Sequence, residues 1–153
     1  MSKAALEDVS RKLQQLYGAV LKAERRFAPS GAGLELLDRL MNDPAWAWLR
    51  PLSMLIAEVD HALAQDAELS EMEGAAAAAH IRGVVFGEGG QVDTEFLTHY
   101  RSLLPLDHEL ASTHGELRAL LKKLPEESPN ESERLHARHQ WAMRRKHRPA
   151  GRS

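Results

Sequence analysis

The alternation of apolar and polar residues predicts helices along most of the chain. In the first stretch, apolar side chains recur three and four residues apart, which is the heptad pattern of a helix packed in a bundle or coiled coil. These positions are Leu6, Val9, Leu13, Leu16, Val20, Ala23 and Phe27. The pattern suits the seam of an intramolecular bundle and equally the face of a homodimer, so both interpretations stay open.

Proline and glycine residues divide the chain after this first helix. Pro29 and two nearby glycines end the helix, and we expect a short helix over residues 34–41. Asp43 followed by Pro44 is typical of a helix start, because Asp can accept the unpaired amide hydrogens and Pro has a helical φ. The next segment therefore begins at Pro44.

The segment after Pro44 contains two tryptophans and the densest aliphatic run of the chain. Pro51 disrupts regular helical hydrogen bonding, so we expect a short turn through Trp46 and Trp48, followed by a long helix that is buried on most sides. On a helix, side chains two positions apart point in directions about 200° apart. One indole can thus fill the core while the other anchors a partner, so Trp46 and Trp48 are both candidates for partner binding. Packing of both indoles beneath the short helices near Pro51 explains the same residues without a partner.

The remaining apolar runs also have helical spacing. Residues 69–86, with five consecutive alanines, predict a helix that stops at Gly87. Asp93 can cap a new helix, Pro105 interrupts it, and Asp107 can cap the one that follows. Alternating strand patterns are missing from the sequence. We therefore predict an all-α fold, a bundle of four long helices plus one or two short helices with a basic C-terminal tail.

The polar, proline-containing stretch 125–133 predicts a linker at the end of a helical-bundle domain spanning 1–124. Residues 134–153 are then expected to form a basic, flexible tail. The formal charge from Glu133 to the end is +6, which leaves −8 on residues 1–132. This asymmetry favours either a polyanionic partner or folding of the tail back onto its own domain.

Composition narrows the class of protein further. Hydrophobic residues make up 43% of the chain and charged residues 27%, as in ordinary globular domains. Cysteine is absent, which excludes disulfides, thiol nucleophiles and Cys-based zinc sites. The sequence shows no signal peptide and no transmembrane run, so a cytoplasmic location is the expectation. No cofactor is predicted.

Histidines and one glutamate provide the candidates for a metal site. Glu58 and His61 are three residues apart, so on a helix they share a face and can bind one ion. Other bundle histidines that can join them are His80, His99 and His114. This spacing is common among histidines that are not metal ligands, and these side chains are equally well explained as flank or core residues.

The basic tail provides the second set of candidates. Arg144, Arg145, Lys146 and Arg148 can neutralise phosphates, and the nearby Trp141 can stack on a base or lie at a membrane interface. A solvated tail, or one that docks on its own domain, explains the same residues without a ligand.

Local motifs of hydrolases, phosphate-binding loops and zinc proteases are missing from the sequence. We therefore predict a non-enzymatic interaction or regulatory module that binds protein partners, itself or another. The alternatives are a metal- or cofactor-binding bundle that uses Glu58 and His61, and nucleic-acid binding through the tail.

Overall fold

A computed structural model describes residues 3–27, 44–89 and 92–146, apart from the side chains of residues 44–46. Within these ranges the chain forms six α-helices and no strand. The helices are α1 (Ala4–Phe27), α2 (Arg50–Ala64), α3 (Glu71–Phe86), α4 (Thr94–Leu103), α5 (His108–Leu121) and α6 (Glu131–Lys146). Short 3-10 helices, Pro44–Leu49 and Leu104–Leu106, precede α2 and α5.

The all-α prediction is confirmed, whereas the division into four long helices is not, because the described residues form six α-helices. The turn before Pro51 is present as the 3-10 helix Pro44–Leu49, with α2 following it. The predicted short helix over 34–41 lies outside the described residues.

Local sequence signals explain where several helices begin. The Ser70 hydroxyl accepts the Glu73 amide while the Glu73 carboxylate accepts the Ser70 amide, which is a capping box at the start of α3. Asp93 and Asp107 accept amide hydrogens at the starts of α4 and α5. These polar side chains satisfy donors that have no partner inside the helix.

Gly87 ends α3 in the left-handed region, with φ of 73°. A Cβ atom at this position would lie 2.9 Å from a methyl carbon of Leu97 and 2.7 Å from the guanidinium of Arg101. That guanidinium donates to the carbonyl oxygen of Phe86 at 2.7 Å. Glycine is therefore favoured by the backbone angle, and any larger residue would also have to displace the side-chain ends of Leu97 and Arg101.

The heptad stripe of α1 lies in the core of the chain itself. Its positions from Leu6 to Ala23 are fully buried, whereas Phe27 at the end of the helix is 39% exposed. α1 packs against α2, α4 and α5, so the stripe forms an intramolecular seam.

Helix α6 packs against α2 and α3, which differs from the expectation of a flexible tail after residue 134. Its inward face consists of Ala137, Trp141 and Arg144, all less than 8% exposed. The Arg144 guanidinium donates to the carbonyl oxygens of Ala62, in the last turn of α2, and of Ala67 and Glu68, beyond its end. A buried arginine with these acceptors stabilises docking of a helix whose sequence has no continuous apolar stripe.

Among the described residues no helix combines the length and the apolarity that crossing a lipid bilayer requires.

Candidate functional site

A cleft of about 460 Å³ lies between α3 and α6. On α3 its wall includes Ala76, Ala79 and Gly83, which share one helix face and have little or no side chain. The indole of Trp141 lines the cleft from α6. The cleft exists because small residues on α3 leave space beside a large side chain on α6, and its volume is in the range of small-molecule sites.

Trp141, His80 and Glu58 form a connected set of side chains at this cleft, which we call the Trp141 group. The Trp141 Nε1–H donates to His80 Nδ1 at 3.2 Å. Because indole can only donate, neutral His80 carries its hydrogen on Nε2, and that nitrogen is 3.9 Å from Glu58 Oε1. Three helices, α2, α3 and α6, each contribute one member of the group.

His80 is held in its neutral form. Burial, together with the positive charges of Arg145 and Lys146, lowers the pKa of His80 to about 4. The Glu58 carboxylate opposes this shift from 3.9 Å but does not outweigh burial and the two cations. At neutral pH the imidazole therefore accepts from Trp141 and bears no charge.

Arg145 lies beside the Trp141 group and lines the same cleft. Its Nε and Nη1 atoms are enclosed, and no residue in the described part of the chain accepts a hydrogen bond from them. The closest carboxylate is that of Glu58, with Oε1 4.0 Å from Nε, which is beyond hydrogen-bonding distance. Only 16% of the Arg145 side chain is exposed, so bulk solvent has little access to the enclosed atoms.

The other charged groups around the cleft are paired to a greater extent. Arg138 donates to both carboxylate oxygens of Glu127 at 2.6 Å, which holds the segment before α6 onto that helix. Glu88 accepts from Arg118 at 3.1 Å. Glu126 is exposed at the rim. Salt bridges thus occupy much of the rim, whereas Arg145 farther inside remains without a hydrogen bond.

The predicted metal candidates lie against different partners. Glu58 approaches His80 instead of His61, whose buried Nε2 has no hydrogen-bond partner. His114 Nδ1 and the hydroxyl of the fully buried Tyr100 share a hydrogen bond of 2.6 Å, and burial lowers the pKa of His114 and raises that of Tyr100. Within residues 3–27, 44–89 and 92–146, no three histidines or carboxylates are grouped to hold a metal ion.

His99 belongs to a second set, Trp48, His99 and Glu24, which we call the Trp48 group. The His99 ring stacks on Trp48 with centroids 3.8 Å apart and an angle of 3° between the planes. His99 Nε2 donates to Glu24 Oε1 at 2.8 Å, and Trp48 is 4% exposed. Trp48 is therefore a core residue. The Trp46 side chain is not among the described side chains, so its role as an anchor stays a prediction.

The predicted basic patch is divided between the interior and the surface. Arg144 is 7% exposed and donates to three carbonyl groups, so its guanidinium faces the protein. Arg145 lines the cleft, Lys146 is exposed, and Arg148 lies outside the described residues. Nucleic-acid binding by the tail stays a prediction.

Of the predicted site residues, the structure brings Glu58, His80, Trp141 and Arg145 together. The small face of α3 and the Arg138–Glu127 pair were not predicted from the sequence. The alanine run was a visible signal of close helix packing, but it does not say where space remains. Comparisons with known proteins find no matching family, curated protein or solved structure.

Proposed function

We propose that this chain is a non-enzymatic regulatory module that binds a small molecule in the cleft between α3 and α6. The observation that carries the proposal is the cleft itself, about 460 Å³ in volume, with Trp141 and an arginine lacking hydrogen-bond partners in its wall. Small-molecule sites typically combine such a concave, largely apolar space with a few polar groups that orient the ligand.

The chemistry of the wall favours binding over catalysis. The described residues that line the cleft include no Ser, Thr, Cys or Lys, the side chains most often used as nucleophiles. His80, with its pKa lowered to about 4, is a weak general base and does not supply a proton at neutral pH. What the wall offers is an apolar surface, an aromatic ring and hydrogen-bond donors.

The position of the cleft supports a regulatory role. Its walls come from two helices, so a ligand that touches both binds better when α6 is docked than when it is released. By thermodynamic linkage, such a ligand shifts the population toward the docked state. Docking of α6 is the conformational property that we propose the ligand controls.

The proposal is tested by screening a general fragment library for compounds that raise the melting temperature. Ala79→Leu places a larger side chain in the cleft, and Ala111→Leu, an exposed position on α5, is the matched control. We expect stabilising fragments to act on the wild type and on Ala111→Leu but not on Ala79→Leu. A library without stabilising compounds, or equal stabilisation of both variants, contradicts the proposal. Chemical turnover of a bound fragment would contradict its non-enzymatic part.

A further inference from the structure

Arg145 differs from the other arginines that line the cleft. Arg138 is bound by both oxygens of Glu127, and Arg82 donates to the carbonyl oxygen of Leu121 at 3.1 Å. None of the described residues accepts a hydrogen bond from Arg145 Nε or Nη1, and both atoms are enclosed. Leaving charged donors enclosed without acceptors is costly. A ligand that draws the guanidinium toward the cleft and supplies acceptors therefore gains more than it would at the solvated rim.

We propose that the ligand of this cleft is an organic acid with a flat apolar body, whose carboxylate binds Arg145 and whose body lies against Trp141. This inference rests on the proposed function, because it assigns a chemical class to the ligand of the same cleft. A guanidinium is planar and matches a carboxylate with two parallel hydrogen bonds, which gives both charge and geometry.

The surroundings of Arg145 favour an acid over a base. The closest histidine, His80, is neutral, so it does not compete with Arg145 for the ligand's carboxylate. Two carboxylates of the rim, Glu127 and Glu88, already accept hydrogen bonds from arginines. A cationic ligand would therefore have to displace existing pairs, bind at the solvated Glu126 or compete with Arg145 for Glu58, which is 4.0 Å from it. An acid instead meets donors that have no acceptor among the described residues.

The flat apolar body follows from the two walls. Trp141 lines the cleft and its N–H already donates to His80, so its contribution there is ring carbon instead of a hydrogen bond. Because the residue is only 2% exposed, a ligand has to move α6 slightly to lie against the ring. The facing surface of α3 consists of Ala76, Ala79 and Gly83, which lack polar side-chain atoms. An aromatic or similarly planar group fits between these surfaces.

Three probes of one shape separate charge from apolar binding: 2-naphthoate, 2-naphthamide and 2-naphthylmethylammonium. Isothermal titration calorimetry measures each with the wild type, with Arg145→Gln and with Arg11→Gln. Arg11 is an exposed arginine of α1 that pairs with Asp8, so its replacement controls for net charge. We expect 2-naphthoate to bind the wild type and Arg11→Gln equally, and Arg145→Gln to weaken it at least tenfold. Binding of 2-naphthamide is expected to be weaker and unchanged by Arg145→Gln.

The outcomes distinguish this inference from the function on which it rests. If 2-naphthamide or the ammonium compound binds as tightly as 2-naphthoate, or Arg145→Gln leaves 2-naphthoate unaffected, the acid class is wrong while the cleft remains a binding site. If none of the three probes binds and the fragment screen yields no stabilising compound, the acid class of the ligand and the proposed small-molecule function of the cleft are both wrong. Weaker binding of 2-naphthoate to Arg145→Gln, with unchanged binding to Arg11→Gln, supports the inference, provided circular dichroism shows both variants folded.

Discussion

The Trp48 group and the Trp141 group use the same three residue types in different arrangements. In the Trp48 group, His99 stacks on the indole and donates to Glu24 at 2.8 Å. The imidazole and the carboxylate satisfy each other there, and Glu24 is 5% exposed. The indole Nε1 of Trp48 is buried without a partner. This group resembles a packed part of the core.

In the Trp141 group the hydrogen bond connects the indole to His80, and the carboxylate of Glu58 has no partner within hydrogen-bonding distance in the group. Glu58 lies about equally far from His80 and from Arg145, at 3.9 and 4.0 Å. Charged groups are thus left incompletely paired beside a cleft. The comparison teaches that residue types alone do not mark a site, whereas unsatisfied charge next to open space does.

The largest predicted effect is the loss of stability when either tryptophan is replaced, and it distinguishes the two groups by the helices that each indole holds in place. Trp48→Ala and Trp141→Ala should each lower the free energy of unfolding by about 3–5 kcal/mol, because both remove a large buried ring. We expect Trp141→Ala to release α6 first, since this ring is on its docking face, and Trp48→Ala to destabilise the packing of α2 and α4. Urea unfolding gives the loss, and trypsin cleavage within α6 reports its release. Equal protection of α6 in both variants would contradict the comparison.

The effect next in size is the dependence of the free energy of unfolding on pH that His80 causes. Its pKa of about 4 in the folded state is below the usual value of about 6.5, so between these values the unfolded chain binds the proton and the folded chain does not. Stability present above pH 6.5 is therefore lost as the pH falls toward 4, by on the order of 2–3 kcal/mol.

His80→Gln should flatten this part of the stability profile, measured by urea unfolding at a series of pH values. The slope should not vanish, since the lowered pKa of His114 acts in the same direction. An unchanged slope in His80→Gln would show that the imidazole is not held neutral by its surroundings.

The smallest predicted effect is the stability lost when the hydrogen bond from the Trp141 indole to His80 is removed. Trp141→Phe should cost about 1 kcal/mol more than Trp48→Phe, because the first variant loses a hydrogen bond to His80 and the second loses an N–H without a partner. Both replacements keep an aromatic ring of similar burial, so the difference isolates the bond. Equal losses in urea unfolding would argue against it.

Much of the helical framework was predictable because its signals are local. Asp93, Asp107 and Gly87 begin or end helices through bonds to residues only a few positions away. The heptad stripe of α1 identified its buried face for the same reason, since helix periodicity places those residues together. The sequence left open which partner the stripe faces.

Docking of α6 was not predictable from local pattern. Arg144 binds carbonyl oxygens of Ala62, Ala67 and Glu68, which are far from it in sequence, and an arginine in a basic run is normally assigned to the surface. The partner of Glu58 was also missed. Spacing pointed to His61 on the same helix, whereas packing of three helices brings His80 and Arg145 to it.

The most direct test of the account follows the indole N–H signals of Trp141 and Trp48 in ¹H–¹⁵N spectra, assigned with the Trp141→Phe and Trp48→Phe variants. The titrant is the fragment that most raises the melting temperature of the wild type. We predict a saturable shift of the Trp141 signal with the Trp48 signal unmoved. A shift of the Trp48 signal alone, or no shift of either, would contradict the assignment of the cleft between α3 and α6 as the ligand site.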